Sequence, residues 1–295
     1  MDRPLNQAKQ HHYVPRSYLE RFADAKGFLH VFDRTTNTFR RQRPKEVMKI
    51  NAYYRQQWAP VGIDPNILEA KLGEWLEPEA KGVIGKLIEA PELLTEGDLA
   101  NLLTFLELQR VRVPRQAEVA KTLMRAALLN SLPDSAVEAI TSGTVKLTIK
   151  DAARFDYMRM MIGNLTPWFA RMEWEIFTAE DGAAFIATDS PVSFYNASIP
   201  PPAEAGIGLI GTMVFYPISS QHVLLMRHPE HRQAATESRL TELPDAKHVD
   251  GHIPITRGEV WSHEVVNNFN WKMMQLSSRL IVANSQAVLE RCINK

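Results

Sequence analysis

The chain is poor in the features that usually announce a function. It has one cysteine, Cys292, in 295 residues. A lone thiol forms no internal disulfide, which fits a reducing compartment, and no cysteine or HExxH pattern suggests zinc. No stretch approaches the ~20 apolar residues of a membrane helix. The first residues, Met1-Asp2-Arg3-Pro4-Leu5-Asn6-Gln7, lack the apolar core of a secretory signal. The expected location is the cytoplasm, away from membranes. Charge of one sign is also missing. Lys and Arg total 34, Asp and Glu total 34, and the net charge is zero. A general coat of basic charge for nucleic acid is therefore excluded, though a local patch is not. P-loop, GxSxG and paired CxxC patterns are absent, so kinase and α/β-hydrolase readings lose their usual support. No cofactor and no metal are expected.

What is present is ordinary globular material, 45% hydrophobic and 23% charged, long enough to bury a large core. Pro15 stands where a helix begins, with Tyr18, Leu19 and Phe22 on one face and Gly27 ending the element. Phe28 to Asp33 and Phe39 to Gln42 read as two strands of a hairpin around Thr35-Thr36-Asn37-Thr38. From about 65 to 172 the pattern is helical. Thr95 and Asp98 form a capping box before an apolar helix from Leu99 to Val113, Pro114 divides it from the next helix, and 151–172 reads as one further helix. After 172 strands dominate. Trp174–Thr178 is expected to pair with Ala184–Thr188 around Asp181-Gly182, followed by strands near 209–216 and 222–226. Residues 228–254 suggest a long loop or lid, and Thr256–Ala283 a final long helix. The predicted class is α+β: a helical central region packed on a small antiparallel sheet, with an N-terminal β-hairpin. One domain over 1–295 is expected, its parts being 11–55, 64–172, 173–227 and 228–295.

Four blocks carry a resemblance. They are His11-His12-Tyr13-Val14-Pro15-Arg16-Ser17-Tyr18-Leu19-Glu20-Arg21-Phe22 with the strand ending Phe32-Asp33-Arg34, then Phe105 to Arg115, then Phe185 to Val192, then Tyr216-Pro217-Ile218-Ser219. In order and spacing the chain resembles domain-of-unknown-function family 4238. Asn267 or Asn268 would be a fifth match, and Ser190 stands where the pattern carries asparagine. The resemblance implies positions, not roles.

The candidate residues fall within or beside these blocks. His12 has a side chain that exchanges a proton near neutral pH; the competing role is to cap a helix or bond a buried carbonyl. Arg16 is a candidate anion ligand. Gln109, Arg110 and Arg112 emerge from an apolar helix, and a buried guanidinium must meet a carboxylate, carbonyls or a bound anion. Internal ion pairs with Asp33, Glu107 or Asp189 would serve equally. Asp33 and Asp189 end strands, as bases or as turn-stabilising carboxylates.

Two functions are therefore expected. One is a metal-independent enzyme acting on a phosphate-containing substrate or nucleic acid. In it His12 is the acid or base, Asp33 or Asp189 orients it, and Arg110 and Arg112 bind phosphate. The alternative is a non-catalytic ligand-binding or regulatory, defence-type module using the same arginines.

Overall fold

The computed structural model describes residues 10–56, 59, 62–150, 153–201, 203–232 and 253–294. Strand β1 (Gln10–His12) pairs antiparallel with β4 (Lys49–Asn51). Between them lie helix α1 (Arg16–Leu19), extended by a 3₁₀ turn to Phe22, and the hairpin of β2 (Leu29–Asp33) and β3 (Thr38–Gln42). Gly27 takes a left-handed φ of 75° in the turn before β2, a conformation glycine adopts without steric cost.

The helical middle consists of α2 (Ile67–Lys71), α3 (Glu77–Glu89), α4 (Glu96–Val111), α5 (Pro114–Ser131), α6 (Asp134–Thr141), α7 (Ala153–Met161) and α8 (Thr166–Arg171). The predicted capping box starts α4. Thr95 Oγ1 accepts from the Asp98 N–H at 3.2 Å and the Asp98 carboxylate accepts from the Thr95 N–H at 3.0 Å. Pro114 opens α5 at a position where no intrahelical donor is lost. The helix expected over 151–172 is two helices, because Gly163 turns left-handed (φ 88°) between them.

The C-terminal part contains β5 (Glu173–Ala179), β6 (Ala187–Thr188), β7 (Ser193–Tyr195), β8 (Met213–Pro217), β9 (His222–Arg227), β10 (Ile255–Trp261), α9 (His263–Leu276), β11 (Leu280–Ala283) and α10 (Gln286–Ile293). One sheet runs β10-β5-β9-β8-β7, with β10 and β5 parallel. The other runs β3-β2-β11-β6 and is antiparallel throughout. The class is α+β, with the N-terminal hairpin in place.

Two expectations need correction. Residues 184–188 do not return along β5. Both edges of β5 are occupied, by β9 and β10, so the chain turns at Asp181-Gly182 and β6 joins β11 in the other sheet. Residues 256–283 are a strand, a helix and a strand. Gly258 packs so closely on Phe177 that an added Cβ would lie 2.2 Å from its ring, which holds β10 against β5. Ser262 then caps α9 through the Val265 N–H. Of the expected loop at 228–254, residues 233–252 lie outside the described residues.

Strand alternation feeds two cores. Leu280 and Val282 join the cluster containing Leu19, Phe22, Leu102, Leu106 and Trp174, while Ile281 and Ala283 join the one containing Phe185, Phe269 and Leu289. Successive strand side chains point to opposite faces. Burial of both faces explains the unbroken apolar run Leu280-Ile281-Val282-Ala283.

Candidate functional site

The expected residues collect into two clusters. In the first, the end of α4 meets β1 and α1. Gln109 and Arg112 are both 1% exposed. Gln109 Nε2 donates to the Tyr13 carbonyl at 3.1 Å. Gln109 Oε1 accepts from Arg112 Nε at 3.0 Å and Nη2 at 2.6 Å, and Arg112 Nη1 donates to Glu77 Oε1 at 3.2 Å. The carboxylate that Arg112 needed is therefore Glu77, not Asp33, Glu107 or Asp189.

His12 stands opposite Lys49 in the β1–β4 pair, and its Nε2 is shielded from solvent without a hydrogen-bond partner among the described residues. Burial pushes its pKa below the ordinary value. Lys49, Arg112 and Arg16 push the same way, and a main-chain hydrogen bond at Lys45 opposes them. The ring is thus held neutral at neutral pH. Its neighbour His11 is fully buried, with Nδ1 accepting from the Tyr54 N–H at 2.8 Å. Arg16 is exposed and pairs with Glu20 at 2.8 Å.

The second cluster contains the two aspartates. Asp33 is fully buried at the end of β2. Its carboxylate accepts from Arg279 Nη2 at 2.7 Å and Nε at 3.0 Å, and from the Thr35 N–H at 3.1 Å. The Arg279 hydrogen bond, ahead of the opposing effect of burial, holds its pKa below the usual carboxylate value. Asp189, 4% exposed, accepts from three successive main-chain N–H groups, Ser278 at 2.9 Å, Arg279 at 2.7 Å and Leu280 at 2.9 Å. Burial raises its pKa, and those three donors pull it back. Both aspartates do the turn-stabilising work that the sequence offered as one alternative. Among the described residues, no hydrogen bond or ion pair joins His12 to either.

Arg110 points away from Arg112 and belongs to this second cluster. It forms a close ion pair with Glu204, donates through Nη1 to the Val192 carbonyl at 3.1 Å, and lies 4.0 Å from the Phe194 ring centroid. Glu107, another partner expected for these arginines, instead accepts from the Leu165 and Thr166 N–H groups at the start of α8.

Beside the second cluster, among the described residues, lies a cleft of about 950 Å³. Pro114, Arg115 and Glu118 of α5 form one wall, Ser277 and Ser278 after α9 another, with Arg34 and Glu204 also lining it. Arg34 Nη1 donates to the Met274 carbonyl at 2.8 Å, the Ser277 carbonyl at 2.6 Å and the Ser277 hydroxyl at 3.1 Å. Its Nε and Nη2 make no hydrogen bond, and it makes no ion pair, among the described residues. Arg115 lies 3.7 Å from Glu204, and burial lowers its pKa, with Asp189 opposing and Arg34 reinforcing that shift. Asp189, Arg34 and Arg115 thus share one electrostatic neighbourhood.

These contacts also explain why four separated stretches of sequence form one pattern. Gln109 ties the second block to the first through Tyr13. Arg110 ties it to the third through Val192, and the Tyr18 hydroxyl ties the first to the fourth through the Pro217 carbonyl at 2.9 Å. A family model described as a protein of unknown function, DUF4238, matches residues 10–287. The chain belongs to the DUF4238 family. No curated protein and no solved structure matches it. All four blocks lie inside the stretch matched by the DUF4238 model.

Sequence reasoning did not single out Arg34, Arg115, Glu204 or Arg279. Arg34 and Arg115 stood at the ends of quoted blocks, each beside a residue that ends or starts an element. Glu204 and Arg279 carried no signal, since nothing local marks a residue whose partner is 94 or 246 positions away.

Proposed function

We propose that the protein binds a ligand bearing a phosphate or comparable anion in the cleft between α5 and the α9–β11 turn. The supporting observation is Arg34. Its guanidinium is anchored through one nitrogen by neutral oxygens, has no carboxylate partner among the described residues, and keeps two donors available on the cleft wall. A planar fork held in that way suits a phosphate or carboxylate oxygen pair. The start of α5 adds main-chain polarity of the same sign at the cleft wall. Glu204 pairs with Arg110 and lies near Arg115, while Arg34, in the field of Asp189, makes no ion pair among the described residues.

Binding is favoured over catalysis. The residues expected to move protons are dispersed: His12 belongs to the other cluster with a solvent-shielded Nε2, and the two aspartate carboxylates are occupied by backbone donors or Arg279. The test is a thermal-shift and calorimetric titration with inorganic phosphate, pyrophosphate and nucleotides. A ligand at about 100 times its Kd stabilises the protein by about 2.7 kcal/mol. That stabilisation should vanish in Arg34→Ala and persist, weakened, in Arg34→Lys. Should none of these compounds stabilise the wild type, or should Arg34→Ala respond equally, the cleft is not an anion site. Sustained turnover of a phosphate ester, lost in His12→Gln, would favour the enzyme reading.

A further inference from the structure

The chain as a whole is neutral, but the hairpin and the segment after it are not. Between residues 38 and 50 the cations Arg40, Arg41, Arg43, Lys45 and Lys49 face one acid, Glu46. Two of the five are compensated, Arg41 by Asp24 and Arg40 by Asp33 at 3.5 Å. Arg43, Lys45 and Lys49 make no ion pair among the described residues. β3 is the outer strand of its sheet, with one edge of main-chain N–H and C=O groups unpaired.

Charged side chains on an edge strand ordinarily guard against aggregation. Two features exceed that need. The cations continue beyond the strand to Lys45 and Lys49, and aromatics are interleaved with them. Phe39 is 39% exposed on β3, braced by Phe32 at 4.8 Å. Arg41 and Arg43 lie 4.4 and 4.8 Å from the Phe28 ring centroid. Register places Phe39 beside Phe32 and Arg41 beside His30, so strand alternation puts Phe39, Arg41 and Arg43 on one side of the hairpin. The positive field also reaches inward, since Lys49 and Arg16 add to the burial that lowers the pKa of His12.

Cations that run on from an edge strand through the 3₁₀ turn at Pro44–Glu46 to β4, beside the aromatic faces of Phe39 and Phe28, match the phosphates and bases of an unpaired strand. We propose that the β3 edge, the turn after it and the start of β4 bind a single-stranded nucleic acid, with Arg43, Lys45 and Lys49 on phosphates and Phe39 as a stacking surface for a base. This site uses residues separate from the cleft and does not depend on the cleft reading.

The experiment is fluorescence anisotropy of the full chain with labelled single-stranded oligonucleotides, uridine RNA and thymidine DNA, across a salt series. Binding should weaken steadily with salt. The Lys45→Glu/Lys49→Glu double variant should lose about tenfold or more in affinity, with a salt slope shallower by about 0.7 per phosphate contact removed. Arg43→Lys should retain binding, and Phe39→Ala should weaken it without changing the slope. Circular dichroism should show all three variants folded. The double variant should keep the phosphate response of the cleft, and Arg34→Ala should keep oligonucleotide binding, so either proposal fails separately. The inference is overturned if wild type fails to bind at about 50 mM salt, if the double variant binds as wild type does, or if duplex DNA competes as well as single strands.

Discussion

The two polar clusters are built from the same residue types and end in different states. Around Arg112 the arrangement is closed: Gln109 and Glu77 accept from its guanidinium, and Gln109 spends its remaining donor on Tyr13. Around Arg34 the arrangement is open. Asp189 and Asp33 are satisfied, but Arg34, among the described residues, is held by neutral oxygens alone and faces a cleft. A buried guanidinium is a poor guide to function until its partners are counted, because a completed network and an anion site need the same side chain.

The comparison breaks first at its buried charges. Arg110→Ala leaves Glu204 with fewer partners in a largely buried position, and should cost about 3 kcal/mol or more. Asp189→Ala strands three main-chain N–H groups near β11, and a similar loss of about 3 kcal/mol is expected. Urea denaturation measures both, and a loss below about 1 kcal/mol would mean that water replaces the missing partner. Arg112→Ala should cost about 2 kcal/mol, since Glu77 is part-exposed and recovers hydration. It should leave any phosphate response of the cleft intact, which separates the closed cluster from the open one.

Asp33→Asn is a perturbation of similar size, about 2 kcal/mol, because the amide keeps an acceptor for the Thr35 N–H and loses the charged pair with Arg279. Its sign in pH is fixed. The folded pKa lies below the unfolded value near 4, so this stabilisation is complete above about pH 4 and disappears as pH falls through the depressed folded pKa. The variant should therefore differ from wild type at neutral pH and converge with it in strong acid.

His12 gives the smallest effect. With its folded pKa depressed, the unfolded chain takes up the proton first. Stability should decline as pH drops below about 6.5. His12→Gln should flatten that decline. An unchanged slope in paired denaturation series at pH 7 and 5 would place the titration elsewhere.

Local signals were the legible ones. Thr95 and Asp98 cap α4 because both the cap and its partner lie within one turn. The β2–β3 hairpin follows from an apolar strand, a polar Thr35-Thr36-Asn37-Thr38 turn and a short return carrying Phe39. Arg110 and Arg112 were legible as a problem requiring partners, but Glu204 and Glu77 were not legible as the answer. Residues 256–283 misled for a related reason: a helix-like apolar pattern says nothing of Gly258 pressed against Phe177. Asn270, which bonds the Ile186 N–H and the Ala184 carbonyl, went unnoticed beside Asn267 and Asn268.

By itself the sequence determined the α+β class, the cap of α4 and the break at Pro114, and that Gln109, Arg110 and Arg112 sit among apolar side chains. Periodicity and capping act over a few residues, and those distances are written in the chain. The tertiary structure decided that β6 leaves β5 for β11, that Arg110 and Arg112 part company, and that Arg34 faces a cleft. Those outcomes depend on which strand edges are already filled and on carboxylates far away in sequence. Only closure of the whole core brings such groups together.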